Sequence, residues 1–200
     1  MSTAVPQDYF DTIYTEDDPF GYRDRWYEAR KRMLLLASLP RRRFRRGWEI
    51  GCSNGETTAE LSTRCDSLLA TDLCMRAVAL ARTRVGDAPH VDIRQSVHPD
   101  QWPAGRFDLI VFAEVGYYLA PDALARMVRG FDAALTDDGV LVACHWLTPF
   151  AEALQDGEAV HGILDGSDDL TRTLRYRDGD VLLESWNRTG RSVAQLAGLR

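Results

Sequence analysis

Two hundred residues are enough for one compact unit with a single sizeable core and too few for two comfortable domains. Hydrophobic residues at 45% and charged residues at 27% are ordinary globular proportions, which excludes a disordered chain. A net charge of -6 argues against nucleic acid as a partner, and no apolar run approaches the roughly 18 residues of a membrane span.

The first residues carry no basic stretch followed by an apolar block, so the expected location is cytoplasmic. From Asp24 to Leu39, Trp26, Ala29, Met33 and Leu36 recur at spacings of three and four, which predicts an amphipathic helix stopped by Pro40. Arginines at 41, 42, 43, 45 and 46 follow and read as a solvated connection from helix to strand, with an anionic contact as the alternative. Trp48-Glu49-Ile50 is a short strand running into Gly51. Thr57 to Thr63 is a helix, and Leu68 to Thr71 a second strand ending at Asp72. Met75, Val78, Ala79 and Val85 mark the next helix, and Val91 to Val97 and Phe107 to Ala113 are the third and fourth strands. Pro121 opens a helix with Leu124, Met127, Val128, Phe131 and Leu135 on one face. Asp138-Gly139 is the turn beyond it and Val140 to His145 the fifth strand. Leu170 to Arg177 and Asp180 to Asn187 flank Asp178-Gly179, the signature of a tight antiparallel hairpin.

Alternating strands and helices with continuously apolar strands predict an α/β fold: a mostly parallel, Rossmann-like seven-stranded sheet closed by an antiparallel hairpin, with helices on both faces. Ligands of such sheets bind outside the carboxyl ends of the strands. That rule sets Gly51 to Gly55, Asp72, Val97, Glu114 and His145 along one rim. The four cysteines, Cys52, Cys65, Cys74 and Cys144, form no C-x-x-C pair and have no histidine at zinc spacing, so they read as free thiols with no metal.

The strand, small-residue turn and helix start around Gly51, Cys52, Ser53 and Gly55 bring backbone N–H groups close to a ligand. With Asp72 and its neighbour Leu73 after the next strand, they make a nucleoside site in which the acid accepts from two ribose hydroxyls. A dinucleotide fingerprint needs glycine at 51, 53 and 56, where the chain has Gly51, Ser53 and Glu56, and a phosphate-binding P-loop is absent.

Glu49 in the first strand, Gly51, Gly55 and then Asp72 resemble motif I of the class I S-adenosylmethionine-dependent methyltransferases. The terminal hairpin resembles the last two strands of that fold. The stretch from Phe107 to Leu119, with Glu49 to Cys52 and Asp18 to Arg23, resembles the nodulation-protein-S (NodS-like) branch over roughly Asp18 to His161. The resemblance implies one methyltransferase domain over 1–200, with 1–40 a helical lid and 47–190 the α/β core. It implies S-adenosylmethionine as cofactor, Glu49 at its methionine end and Asp72 at its ribose. It also implies N-methylation of deacetylated glucosamine units or related small molecules. The chain departs from the general pattern at Ser53, in place of the loop's middle glycine. It departs again after the third strand, where Ser96-Val97-His98 replaces an acid that reads the adenine amino group.

Displacement at a sulfonium methyl needs a held, deprotonated acceptor and no metal. Glu114 and His145 are the candidate bases. Tyr117, Tyr118 and Trp146 are candidate walls of the acceptor pocket, able to attract a cation through their ring faces. Arg23 is a candidate partner for the methionine carboxylate. His98 and His161 read as solvent-facing, and Ala151 to Asp169 as a motif-free segment shaping acceptor choice. O-methylation, a cofactor-binding module without turnover, and a dehydrogenase already weakened by Ser53 and Glu56 are the competing readings.

Overall fold

The computed structural model describes residues 4–200. Its centre is a seven-stranded sheet in the order β3-β2-β1-β4-β5-β7-β6. The strands are β1 (Phe44–Ile50), β2 (Cys65–Asp72), β3 (Val91–Gln95), β4 (Phe107–Ala113), β5 (Leu135–Trp146), β6 (Thr171–Arg177) and β7 (Val181–Asn187). β1 to β5 pair in parallel and β7 runs antiparallel between β5 and β6, as expected for five β/α units closed by a hairpin.

The alternation of side chains along β4 shows why the sheet needs two layers of helix. Ile110 and Phe112 face one side, where they pack with Leu124, Met127 and Phe131 of α5 (Pro121–Ala134) and Val160 and Leu164 of α6 (Gly157–Leu164). Leu109 and Val111 face the other, against Leu35 of α2 (Trp26–Ser38) and Leu61 of α3 (Glu56–Ser62). Val78 and Ala81 of α4 (Met75–Val85) cover Ala70 and Ile93. Phe10 of α1 (Gln7–Ile13) and Tyr14 close over Cys74 and Ala77. The chain ends in a short α7 (Val193–Leu196).

Three expectations are corrected. The apolar face expected for α2 is only partly buried: Leu36 packs half-buried on the core, but Trp26 is 71% and Met33 50% exposed, and the fully buried positions are Glu28, Lys31, Leu35 and Ser38. Burying two charged residues is tolerable because they pair with each other, Lys31 Nζ lying 2.8 Å from Glu28 Oε2. The arginine run is no free connection either. Arg45 and Arg46 lie within β1, Arg41 and Arg45 pair with Asp138 and Arg43 with Asp66, so these guanidiniums are balanced by carboxylates at the end of the sheet opposite the ligand rim. Asp138-Gly139 is absorbed into β5, which begins directly after α5 and pairs with β4 through a shifted register between Phe107 and Leu109.

Candidate active site

The loop after β1 is shaped by glycine. Gly51 has φ +77°, and a Cβ there would lie 2.3 Å from the Val115 Cγ2. Gly55 has φ +85° and packs so tightly on α4 that a Cβ would sit 2.7 Å from the Ala81 Cα. Ser53 takes a positive φ of 51° without being glycine and is held on two sides. Its N–H donates to Asp72 Oδ2 at 2.9 Å, and its hydroxyl accepts from Tyr14 at 2.6 Å. The Cys74 N–H donates to the other Asp72 oxygen at 2.9 Å. Burial raises the Asp72 pKa, and these backbone donors work against that rise.

Three cavities meet at this rim. The first, about 310 Å³, is lined by Gly51, Ser53, Asp72, Leu73, Ser96, Val97 and His98, and by Val5, Gln7, Phe10 and Tyr14 from the N-terminal segment. The second, about 50 Å³, lies among Glu49, Gly51, Cys52, Ser53, Asn54 and Lys31. The third, about 570 Å³, has walls of Tyr9, Phe20, Tyr22, Tyr27, Tyr117, Tyr118, Trp146 and Phe150, with the carboxylates of Glu28, Glu114, Glu152 and Asp180.

Glu114 lines all three cavities. It follows β4 at φ +60°, a backbone conformation that is costly outside glycine and recurs at functional sites. Its Oε2 accepts from the Tyr117 hydroxyl at 2.8 Å and lies 3.2 Å from Lys31 Nζ. Its Oε1 is buried with no hydrogen-bond partner. Glu49 is also buried. Loss of water pushes its pKa up to about 8, although the Thr58 hydroxyl donates to it at 2.6 Å.

A family profile for nodulation protein S (NodS) matches residues 5–144. The chain belongs to the nodulation protein S family. Among its relatives, nodulation protein S of Rhizobium tropici is 32% identical over 120 residues, 57% of this chain and 48% of that protein. The protein of the same name from Sinorhizobium fredii is 33% identical over 133 residues, 63% of this chain and 59% of its own. The match thus spans about half the length of these curated relatives. A putative methyltransferase from Pseudomonas syringae superposes with a TM-score of 0.74 at 46% identity, covering 82% of this chain and 100% of that one. The N-methyltransferase NodS from Bradyrhizobium japonicum WM9, in complex with S-adenosyl-l-homocysteine, superposes with a TM-score of 0.76 at 27% identity, over 91% of this chain and 97% of that one. The sheet order and reversed β7 are those of the class I methyltransferase fold, and S-adenosylmethionine is the cofactor these NodS relatives imply.

The donor set fits that cofactor. Each Asp72 oxygen uses one lone pair on a backbone N–H and keeps capacity for a ribose hydroxyl. Gly51 leaves the loop backbone bare where a side chain would collide with the cavity wall. Carboxylates at 72 and 114 suit a ligand that carries a positive sulfonium and ammonium.

In this NodS-family chain the structure brings together Glu49, Gly51, Cys52, Ser53, Asp72, Leu73, Ser96, Val97 and Glu114, and it sets Tyr117, Tyr118 and Trp146 around the third cavity. It separates three other residues from the cavities. Gly55 lines none of them and serves the α3–α4 contact. Arg23 lines none of them; it is half exposed and pairs with Glu56 at the start of α3 at 3.4 Å.

His145 is withdrawn from the rim. It is fully buried and lines none of the three cavities. Its Nε2 accepts the Gly116 N–H at 3.0 Å, which puts its proton on Nδ1, 3.1 Å from His161 Nε2. His161 Nδ1 in turn donates to Glu184 Oε2 at 2.7 Å. Burial first, and the neighbouring His161 second, push the His145 pKa well down, so it stays neutral and structural. His161 is therefore buried, not solvent-facing. His98 is partly buried beside Trp48 and lines the first cavity.

Sequence reasoning missed Lys31, Glu28 and Tyr14. The one available signal was that Lys31 is the sole lysine in the chain. Among the described residues no group of three or more His, Cys, Asp or Glu could hold a metal, and no helix is long and apolar enough to cross a membrane.

Proposed function

We propose that this chain transfers the methyl group of S-adenosylmethionine to the nitrogen of a small-molecule amine, an amino sugar or related amine being the favoured acceptor. The observation that carries the reading is Glu114. One carboxylate forms the common wall of the nucleoside cavity, the small cavity around Glu49 and the aromatic cavity, and it keeps one buried oxygen unpartnered. When bound, the cofactor supplies an activated methyl group to that junction. Asp72 holds the ribose hydroxyls, Glu49 with the Gly51–Cys52 backbone receives the methionine end, and Ser96 and Val97 flank the base. Of the 1–40 segment, residues 4–40 serve as a lid on the 47–190 core, with Tyr14 fastened to Ser53 and Asn54 to Asp18.

An amine arrives as an ammonium and must lose a proton before its lone pair can attack. The aromatic walls attract the cation through their ring faces, and Glu114 Oε1 takes the proton. Carboxylates at 28, 114, 152 and 180 outnumber the cations beside them, Arg25 in the wall and Lys31 behind it, and this excess favours a cationic acceptor over a neutral hydroxyl, the preference that sets N- above O-methylation. The solved N-methyltransferase relative supports the same choice. Methyl-labelled cofactor incubated with glucosamine and, separately, with N-acetylglucosamine tests it. Label on the free amine alone is expected; label on hydroxyl oxygen of either sugar would overturn it.

A further inference from the structure

The charged face of α2 is the feature of this molecule that the general scheme does not use. Lys31 is buried, its side chain only 9% exposed. Its ammonium sits 2.8 Å from Glu28 Oε2 and 3.2 Å from Glu114 Oε2, with the Tyr27 and Tyr22 rings 5.1 Å and 5.7 Å away. Tyr117 donates to the same Glu114 oxygen. The hydrogen bond from Tyr117 and the ion pair with Lys31 therefore both fall on Oε2 and leave Oε1 without a partner.

We infer that Lys31 is a positioning residue for methyl transfer: clamped between Glu28 and Glu114, its ammonium holds the Glu114 carboxylate ionised, with Oε1 turned over to the acceptor's proton. The inference rests on Glu114 as the proton acceptor proposed above. In the step concerned, an N–H bond of the acceptor ammonium breaks, its electron pair stays on nitrogen, and the proton forms an O–H bond at Oε1. Lys31 keeps its own proton throughout.

The electrostatic surroundings agree with that arrangement. Burial works against the Lys31 ammonium, but Glu114 and Glu28 outweigh it and lift its pKa above the usual lysine value. Burial raises the pKa of Glu28, which Lys31 opposes. The other groups facing the cluster are Arg32 on α2, Tyr22 from the N-terminal segment, Cys144 on β5 and Asp180 before β7. Arg32 donates instead to the Tyr22 carbonyl at 2.7 Å, so Lys31 is the cation in contact with Glu114. Without it, two buried carboxylates would face each other with no cation between them, which favours the protonated form of the pair.

Because the chain has a single lysine, ¹⁵N-lysine labelling gives one side-chain ammonium resonance that needs no assignment. In the wild-type protein its titration midpoint is expected above that of free lysine, and lower in Glu114→Gln. A midpoint at the free-lysine value, unmoved by Glu114→Gln, would overturn the inference without any turnover being measured. In kinetics, Lys31→Met is expected to shift the acid limb of kcat/KM upward by about one pH unit or more, with activity recovering at high pH. Lys31→Arg, which keeps a cation between the two carboxylates, is expected to restore the wild-type profile. A wild-type pH profile in Lys31→Met, or a parallel loss at every pH, would refute the role. Failure of the wild-type protein to methylate any amine refutes the functional reading itself, and the resonance measurement distinguishes the two failures.

Discussion

Glu49 offers a quantitative test of the buried rim. Burial holds its pKa at about 8 in the folded protein, against 4.5 for an ordinary glutamate, so between those values the native state keeps a proton that the unfolded chain has released. Stability therefore falls as pH rises through this window, by about 1.4 kcal/mol per pH unit from this residue alone. Glu49→Gln removes the titration while still accepting the Thr58 hydroxyl, whose oxygen lies 2.6 Å from the carboxylate. Urea unfolding of cofactor-free protein at about pH 5, 6 and 7 gives the comparison. The variant is expected to gain on the wild type by about 3 kcal/mol across that interval, with little difference at the acid end. Using the difference between the two proteins cancels the other titrating groups, including His145, whose depressed pKa pushes stability the opposite way. Parallel pH profiles for the two proteins would refute the account of Glu49 as a carboxyl kept neutral by burial.

Gly51→Ala places a methyl group 2.3 Å from Val115, itself a wall of the nucleoside cavity, at φ +77°. A stability loss of about 1–3 kcal/mol and at least about a tenfold loss of S-adenosylhomocysteine affinity are expected by calorimetry. His161→Ala opens a cavity and leaves the His145 N–H and Glu184 Oε2 without their buried hydrogen-bond partner, although Arg172 and Arg175 still pair with Glu184 Oε1. The expected cost is about 3 kcal/mol, read as a drop of about 6–12 °C in Tm, with cofactor affinity retained below the transition. Arg23→Ala removes an exposed ion pair with Glu56, which keeps Arg84 at 2.9 Å, so affinity for S-adenosylhomocysteine should change by no more than about threefold.

Most of the framework was legible because it is local. β4 is a continuous apolar run, the Gly51–Gly55 turn falls between a strand and a helix, and Asp178-Gly179 marks its hairpin without help from distant residues. Asp72 was legible for the same reason, as an acid ending the second strand. The face of α2 was not, because its buried side is chosen by Glu114 across the site and not by apolar periodicity. α6 lay in the stretch without a motif, although Asp156, whose side chain accepts from the Ala159 N–H, is a helix-start signal that reading the caps would have found. The pairing of His145 with His161 depends on α6 packing against β5 and β7, and no spacing in the chain announces it. Lys31 was not legible either, because a lone lysine shows its partners only in three dimensions.

The most direct test of the whole account is a calorimetric titration of S-adenosylhomocysteine into the wild-type protein and into Asp72→Ala, with the variant's melting curve as a check on folding. Asp72 braces the loop through two N–H donors and keeps its remaining lone pairs for the ribose, each charge-assisted hydrogen bond contributing about 1.5–3 kcal/mol. Micromolar binding to the wild type, weakened at least about tenfold in the variant, is the predicted result. Equal affinity in the two proteins, or no binding to the wild type, would contradict the reading of this rim as the methyl-donor site.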